Sequence, residues 1–238
     1  MGATRITVGW LHPGDVAGCF IESLSHTLLR DRRMARINTT FSLQSGPRIV
    51  ESRNFIVRYF LKDTRDDWLL MIDADMAWDF DAFETLVKHA DADDVPIIGG
   101  LCFAGGQTWV DGSTSMFPTL YSFKEEGKEA EKVLDYERDA LVRVDATGAA
   151  FLMVHRRVFE QMRKATGTMP GGEPNPHPWF AELYYHGRQV GEDIGFFMRC
   201  QALGIPVHVH TGAKVKHRKF MYLDEKMFDE VTSGRIAS

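Results

Sequence analysis

Trp68-Leu69-Leu70-Met71-Ile72 is an unbroken apolar run that stops at Asp73-Ala74-Asp75. A strand with one face in water alternates apolar and polar residues, so an uninterrupted run requires cover on both faces. Helices provide that cover, and the segment therefore demands a sheet between two helical layers. The surrounding pattern agrees. Ile6 to Trp10 reads as a first strand broken by His12-Pro13-Gly14, and a helix is expected over Gly18 to Arg33, its basic end suited to a helix C-terminus. Ile37 to Leu43 reads as a second strand, Ser45-Gly46-Pro47 as a turn, and 47–61 as a helix. After the apolar strand come a helix over 81–90 and a fourth strand over Val95 to Gly100. Strands alternating with helices predict an α/β chain with a mostly parallel sheet.

The second half is less regular. Gly105-Gly106 and Asp111-Gly112 read as turns, Thr119–Phe123 and Leu141–Val144 as antiparallel strands, and Lys124 to Lys132 as a solvated loop or short helix. Ala149 to Val154 is a buried strand and Arg157 to Lys164 a helix. Thr166 to Pro178, with four prolines and three glycines, is a long irregular loop of the kind that serves as a lid or binding element. A helix over 192–203 ends at Gly204, and Val207 to Val215 is a last strand. Neither Gly-x-Gly-x-x-Gly nor a Walker A sequence is present, which weighs against a dinucleotide enzyme or a P-loop NTPase.

Composition narrows the class. At 238 residues, 44% hydrophobic and 26% charged, the chain suits one globular domain with a substantial core. No apolar run nears the roughly 20 residues of a spanning helix. Met1 to Arg5 leads straight into a strand-like run without a signal-peptide apolar region. Cys19, Cys102 and Cys200 are odd in number and far apart, the pattern of free thiols in a reducing compartment, so a cytoplasmic location is expected. A net charge of −5 argues against broad nonspecific nucleic-acid binding but leaves room for a local basic patch.

Residues i and i+2 of a strand point the same way, so Asp73 and Asp75 are expected to project together from the strand's end. Two carboxylates converging there repel unless a cation or hydrogen-bond donors lie between them. Oxygen ligands favour Mg²⁺ or Mn²⁺, ions that bring diphosphates with them. Other readings of these acids fail. An EF-hand loop starting at Asp73 would place Glu84 at its twelfth position, but Ala77 and Trp78 stand where an oxygen ligand and a glycine are needed. A capping box of Asp81 and Glu84, ahead of the stripe Phe83, Leu86, Val87 and Ala90, explains Asp79 or Asp81 but not the pair directly after the strand.

Three further clusters carry chemistry. Glu192 and Asp193 open a helix, where acids stabilise the dipole. Ile194, Phe197 and Met198 fix that helix against a core, so the carboxylates are held, and a held carboxylate can take a proton from an attacking hydroxyl. Just upstream, Trp179, Phe180, Tyr184 and Tyr185 read as core packing or as a platform for sugars or bases. The run Lys214-Val215-Lys216-His217-Arg218-Lys219 is either a solvated face or an imidazole ligand among cations that neutralise a diphosphate, with His208 and His210 as competing ligands. In the helix over 47–61, Val50, Asn54, Val57 and Leu61 share one face and Ile49, Arg53, Ile56 and Phe60 another. Arg53 and Asn54 thus turn inward and need partners, either structural ones such as Asp73 or a nucleotide.

Taken in order, Ser52-Arg53-Asn54, Leu70 to Met76, Thr147 to Leu152, Gly191 to Phe196 and Val215-Lys216-His217 resemble a GT-A-fold glycosyltransferase of the family-2-like group that includes many phage-encoded enzymes. The resemblance runs from about Ile6 to Lys219. It implies a GT-A (Rossmann-like) three-layer α/β/α sandwich with a mostly parallel central sheet and a small antiparallel addition. The chain would be one domain over 1–238, with a nucleotide-binding half to about 100, an acceptor-binding half over 101–219 and a tail over 220–238. Open α/β sheets place ligands at the carboxyl edge, where the donor pocket is expected.

Carried over by residue, the resemblance makes Asp75 the main metal ligand and Asp73 a partner of the ribose or of the metal shell. His217 becomes the distal ligand, ahead of His208 and His210. Asp193 becomes the general base, and Glu192 orients the acceptor or the base. Trp10, His12 and Pro13 belong to the segment that meets the nucleobase, Arg53 and Asn54 to the donor pocket, and Gly148 and Ala149 let donor and acceptor approach the backbone. Lys216 departs from the pattern, standing where relatives often have glycine.

The implied activity is transfer of a sugar from a nucleotide-diphosphate donor, a UDP-sugar, to an acceptor hydroxyl, with inversion and with Mn²⁺ or Mg²⁺. For a phage-encoded chain the setting would be the host cytoplasm. A DNA base, a protein, a saccharide or a lipid are the open acceptors. One alternative is a sugar nucleotidyltransferase, against which Trp10 to Gly14 lacks the cation of a Gly-rich phosphate loop; the other is a non-catalytic nucleotide-sugar-binding module.

Overall fold

The computed structural model describes residues 4–46, 48–107, 114–124, 130–185 and 187–219. The chain opens with β1 (Ile6–His12), α1 (Gly18–Asp31), β2 (Ile37–Gln44), α2 (Ile49–Asp63) and β3 (Trp68–Asp73). Next come β4 (Met76–Trp78), α3 (Phe80–His89), β5 (Ile97–Leu101), β6 (Phe103–Gln107), β7 (Thr114–Pro118), β8 (Leu120–Phe123) and β9 (Ala130–Lys132). The rest are β10 (Leu141–Val144), β11 (Ala146–Thr147), β12 (Phe151–His155), α4 (Arg156–Thr166), β13 (Leu183–Tyr185), β14 (Arg188–Val190), α5 (Glu192–Ala202) and β15 (Val207–His217).

The central sheet has the order β10-β15-β5-β12-β3-β1-β2, with β4 paired to β15 beyond this path. β2, β1, β3, β5 and β15 share one direction, and β12 and β10 oppose them. The sheet is mostly parallel, as expected, and the small antiparallel ribbons β11-β8-β9, β13-β14 and β6-β7 are added to it.

The unbroken run of β3 is explained by its neighbours. Trp68, Leu70 and Ile72 join a core with Phe20 and Leu24 of α1 and Phe83 and Leu86 of α3. Leu69 and Met71 join a second core with Ile56 and Phe60 of α2, Phe159 of α4 and Phe196 of α5. Helices therefore cover both faces, and each such buried side chain contributes roughly 1.5–3 kcal/mol relative to exposure. β2, at the sheet's edge, alternates half-buried and exposed residues along its whole length.

Some local expectations shift. Gly105-Gly106 lies within β6 instead of a turn; a Cβ on Gly105 would collide with the Ser115 carbonyl of β7, so the strands approach this closely only with glycine. Asp111-Gly112 falls outside the described residues. The end of the stretch expected as a loop or short helix, Ala130–Lys132, is strand β9, held to β8. Asp79 caps α3 without a side-chain hydrogen bond, and Glu84 pairs with Arg36 instead of closing a capping box. α5 ends as expected, with Gly204 at φ +67° following the cap residue Leu203. Among the described residues no helix is long and apolar enough to cross a membrane, and Cys19, Cys102 and Cys200 are free thiols.

Candidate active site

β3 ends at Asp73, the chain turns through Ala74 and Asp75, and β4 starts at Met76. Asp75 already lies in the turn, and the two carboxylates take different partners, Arg53 for Asp73 and His217 for Asp75, while the charge of Asp75 still acts on Asp73. Both still border one cleft of about 940 Å³ at the carboxyl ends of β1 and β3, which His12, Pro13, Asp15 and Arg218 also line.

β15 delivers His217 to this place. It runs along β5 until His210 lies opposite Gly100, after which the register jumps so that Lys214 meets Leu101. The three residues between form a bulge that bends the strand onto β4, where His217 lies opposite Met76. The His217 Nε2 then stands 3.1 Å from the Asp75 Oδ2, and its Nδ1 3.0 Å from the Phe103 carbonyl oxygen. The Lys219 Nζ is 3.4 Å from the same Oδ2, and the Arg218 N–H donates to the Asp75 carbonyl at 2.9 Å.

A carbonyl can only accept, so Nδ1 carries a proton, and Nε2 facing a carboxylate carries another. His217 is therefore an imidazolium here. The Asp75 hydrogen bond, helped by Cys102 and the Phe103 carbonyl, lifts it to about 10 despite burial. Burial pushes the Asp75 carboxyl up, but His217 and Lys219 outweigh that and bring it below the usual carboxylate range. The pair thus stabilises the metal-free fold over a pH window. The His217 share is complete below its ordinary value of 6.5 and is lost as pH rises through about 10. The Asp75 share is present above 3.8 and is lost as pH falls through its lowered folded value. Thermal melts in chelator should show His217→Gln below the native protein at about pH 7, with the gap closing by about pH 11. A gap that is the same at both ends would refute the charged pair.

These residues fit a divalent ion. The Phe103 carbonyl fixes the Nδ1 proton and turns Nε2 to the carboxylate, the usual arrangement of an imidazole ligand. With the Nε2 proton gone, imidazole and Asp75 present a nitrogen and oxygen pair suited to Mn²⁺. Among the described residues, no three His, Cys, Asp or Glu side chains are gathered as a metal site. Among the described residues, Asp75 and His217 are two candidate ligands rather than a full cage.

Asp73 belongs to the other half of the site. Burial raises its carboxyl above the usual range; Arg53 opposes that, and the charges of Asp75 and Asp193 add to it. Arg53, only 6% exposed, has Nη2 at 3.5 Å from the Asp73 Oδ1 and Nη1 at 3.1 Å from the Glu192 Oε1. Glu192 and Asp193 form the first turn of α5, and the Asp193 Oδ1 accepts the Ile194 N–H at 2.7 Å.

Asn54 resolves to structural partners. Its Nδ2 donates to the carbonyls of Val50 and Phe180, both at 2.7 Å, and its Oδ1 accepts the N–H groups of Trp179 and Phe180 at 3.3 Å. Asn54→Ala would leave buried backbone groups unpaired, at a cost of about 3 kcal/mol. A calorimetric Tm roughly 6–12 °C lower is expected; a drop of under about 2 °C would show that water replaces the amide.

The chain at Ala150 meets the site, its carbonyl accepting the Asp73 N–H at 3.0 Å. Trp10 packs on Phe20 with ring centroids 5.7 Å apart and borders the α1/α3 core. Ala149 is buried in the α2/α4/α5 core, and a Cβ on Gly148 would meet Thr119 only at ordinary contact distance. Trp179 and Phe180 are core residues, while Tyr184 is 80% exposed. His210 stands against the His89 ring at 4.4 Å, and His208 lies opposite Arg143 on β10. Tyr121 of β8 is a residue the sequence did not single out: burial, then the Asp193 charge, raises its phenol. Pairing of β8 with β11 and β9 sets its place, and no local motif announces it.

No protein family and no curated protein sequence matches this chain. Solved structures do. The crystal structure of A197 from STIV superposes with a TM-score of 0.51 at 15% identity, over 93% of this chain and 87% of that one. The structure of GalNAc-T7 with UDP, GalNAc and Mn²⁺ superposes with a TM-score of 0.57 at 11% identity, over 92% of this chain and 44% of that one. The fold is GT-A-like. This chain spans less than half of GalNAc-T7, and at such identities the likeness is one of fold. Within a GT-A-like frame the cleft holding Asp73 and Asp75 lies at the carboxyl edge of the parallel strands, where such sheets take their ligands.

Proposed function

We propose that the protein is a divalent-metal-dependent glycosyltransferase that moves a sugar from a nucleoside-diphosphate donor, a UDP-sugar, to an acceptor hydroxyl with inversion. The observation that carries this reading is the cleft at the ends of β1 and β3, bordered by Asp73 and Asp75, with His217 bound to Asp75. Asp75 and His217 would hold Mn²⁺ or Mg²⁺, with Asp73 beside the ribose or the ion's shell. A bound ion supplies Lewis-acid stabilisation of the diphosphate leaving group.

The chain's own residues do the rest. Arg218 lines the cleft and Lys219 approaches Asp75, so both share the charge of the departing diphosphate. His12 and Pro13 meet the base. Asp193 takes the proton of the acceptor hydroxyl as its oxygen attacks the anomeric carbon. The bond from that carbon to the diphosphate oxygen breaks, and its electron pair leaves with the nucleoside diphosphate. Attack from the opposite face inverts the centre. The family-2-like, phage-encoded resemblance goes with this reading, and with it a host-cytoplasm setting and a DNA base, protein or saccharide acceptor.

A screen of nucleotide sugars with Mn²⁺, reading release of free nucleoside diphosphate, tests the proposal. One donor should be consumed, and chelator should stop it. Sugar-nucleotide formation from a sugar 1-phosphate and a nucleoside triphosphate, with no donor consumed, would overturn it in favour of a nucleotidyltransferase.

A further inference from the structure

We propose that Arg53 is a positioning residue that couples Asp73, at the donor cleft, to Glu192, on the first turn of α5, by holding the two carboxylates in one fixed arrangement. This deepens the glycosyltransferase reading and rests on it. A guanidinium is planar and forked, so one side chain can face two separated carboxylates from two terminal nitrogens, whereas a lysine offers a single nitrogen on a flexible stem. Here one terminal nitrogen faces Asp73 at 3.5 Å and the other faces Glu192 at 3.1 Å. The contact to Glu192 is close but lacks hydrogen-bond geometry, so among the described residues Nη1 is a buried donor with an ion-pair partner and no hydrogen-bond partner. An unpaired buried donor is costly. A small shift of Glu192 toward Nη1 would complete that bond.

The frame around Arg53 makes such a shift transmissible. Its guanidinium lies 5.7 Å from the Phe180 ring centre, and Phe180 stacks on Phe196 of α5 at 4.7 Å with an interplanar angle of 11°. Asn54, the next residue, ties the Phe180 backbone to α2. α2, the 179–180 segment and α5 are thus joined directly beneath the site, and α5 carries Glu192 and Asp193 on its first turn. A ligand that draws Asp73 toward itself pulls on Arg53, and through Arg53 on Glu192.

The test is a mutant cycle of Arg53→Lys, Arg53→Met, Glu192→Gln and Arg53→Met/Glu192→Gln. Titration with UDP and Mn²⁺ gives binding, and transfer kinetics give kcat and KM. Arg53→Lys should hold UDP within about threefold of the native protein while kcat falls about tenfold or more, since charge is kept and the span is lost. Glu192→Gln should lower kcat about as much alone, yet add nothing to Arg53→Met, because residues that act as a unit are not additive. Effects that multiply, or a lysine variant with native kcat, would overturn the coupling. So would variants that shift only Tm. If the native protein transfers no sugar, the glycosyltransferase reading fails separately. Melts of the same variants then decide the bridge without turnover: Glu192→Gln should lower Tm in the native background and not beside Arg53→Met, and equal lowering in both would refute it. Should Arg53→Met fail to fold, Arg53→Lys replaces it in both cycles.

Discussion

Asp75→Asn should abolish the Mn²⁺ dependence of UDP binding and lower sugar transfer by about 10³-fold or more, the scale expected when a metal's charge stabilisation, worth several kcal/mol, is lost. The substitution keeps the shape of the side chain but removes the anion that faces both the His217 imidazolium and the Lys219 ammonium. An amide cannot hold two cations and is a poor ligand for a hard ion. Two consequences separate this from general damage. The folded protein should still form, because its cores lie on the two faces of the sheet and not in the turn that carries Asp75. His217, freed of its partner, should titrate closer to its ordinary range, which NMR of the imidazole reads directly. Manganese that tightens UDP equally in both proteins would place the ion elsewhere.

Asp193→Asn is the complementary case. It should leave UDP and Mn²⁺ affinity within about threefold and reduce kcat about 10²- to 10⁴-fold, the range of a lost general base. The separation follows from location. Asp193 sits at the start of α5, and its Oδ1 accepts the Ile194 N–H, a bond the asparagine carbonyl can reproduce. In the proposed reading, donor affinity depends instead on the turn after β3 and on β15. Undiminished transfer by Asp193→Asn would end its assignment as base. Equal losses in binding and turnover would move it to the donor side.

The architecture was readable where the physics is local. The apolar run before Asp73 required cover on both faces, and α1 with α3 on one side and α2, α4 and α5 on the other supply it. The short strands were not readable. β4, β9, β11, β13 and β14 have two or three residues each, too few for a period to show, and only their pairing partners make them strands. At the site, the sequence singled out two acids that border one cleft, but not the partners they take there. Asp73 and Asp75 looked like a convergent pair, yet the turn after β3 sends one to Arg53 and the other to His217. An inward-facing Asn54 and Arg53 announced a need for partners without naming them. Asn54 found backbone groups of the 179–180 segment, more than a hundred residues away in sequence, and Arg53 found the carboxylates of Asp73 and Glu192.

The irregular step in β15 acts as a ruler. Side chains alternate along an extended chain, so loss or gain of one residue between His210 and Lys214 would send every later side chain to the opposite face. His217 would then turn its ring away from Asp75, and a cation would take its place. Chains sharing this site are thus expected to tolerate length changes almost anywhere on the surface, yet to keep the count across these few positions fixed.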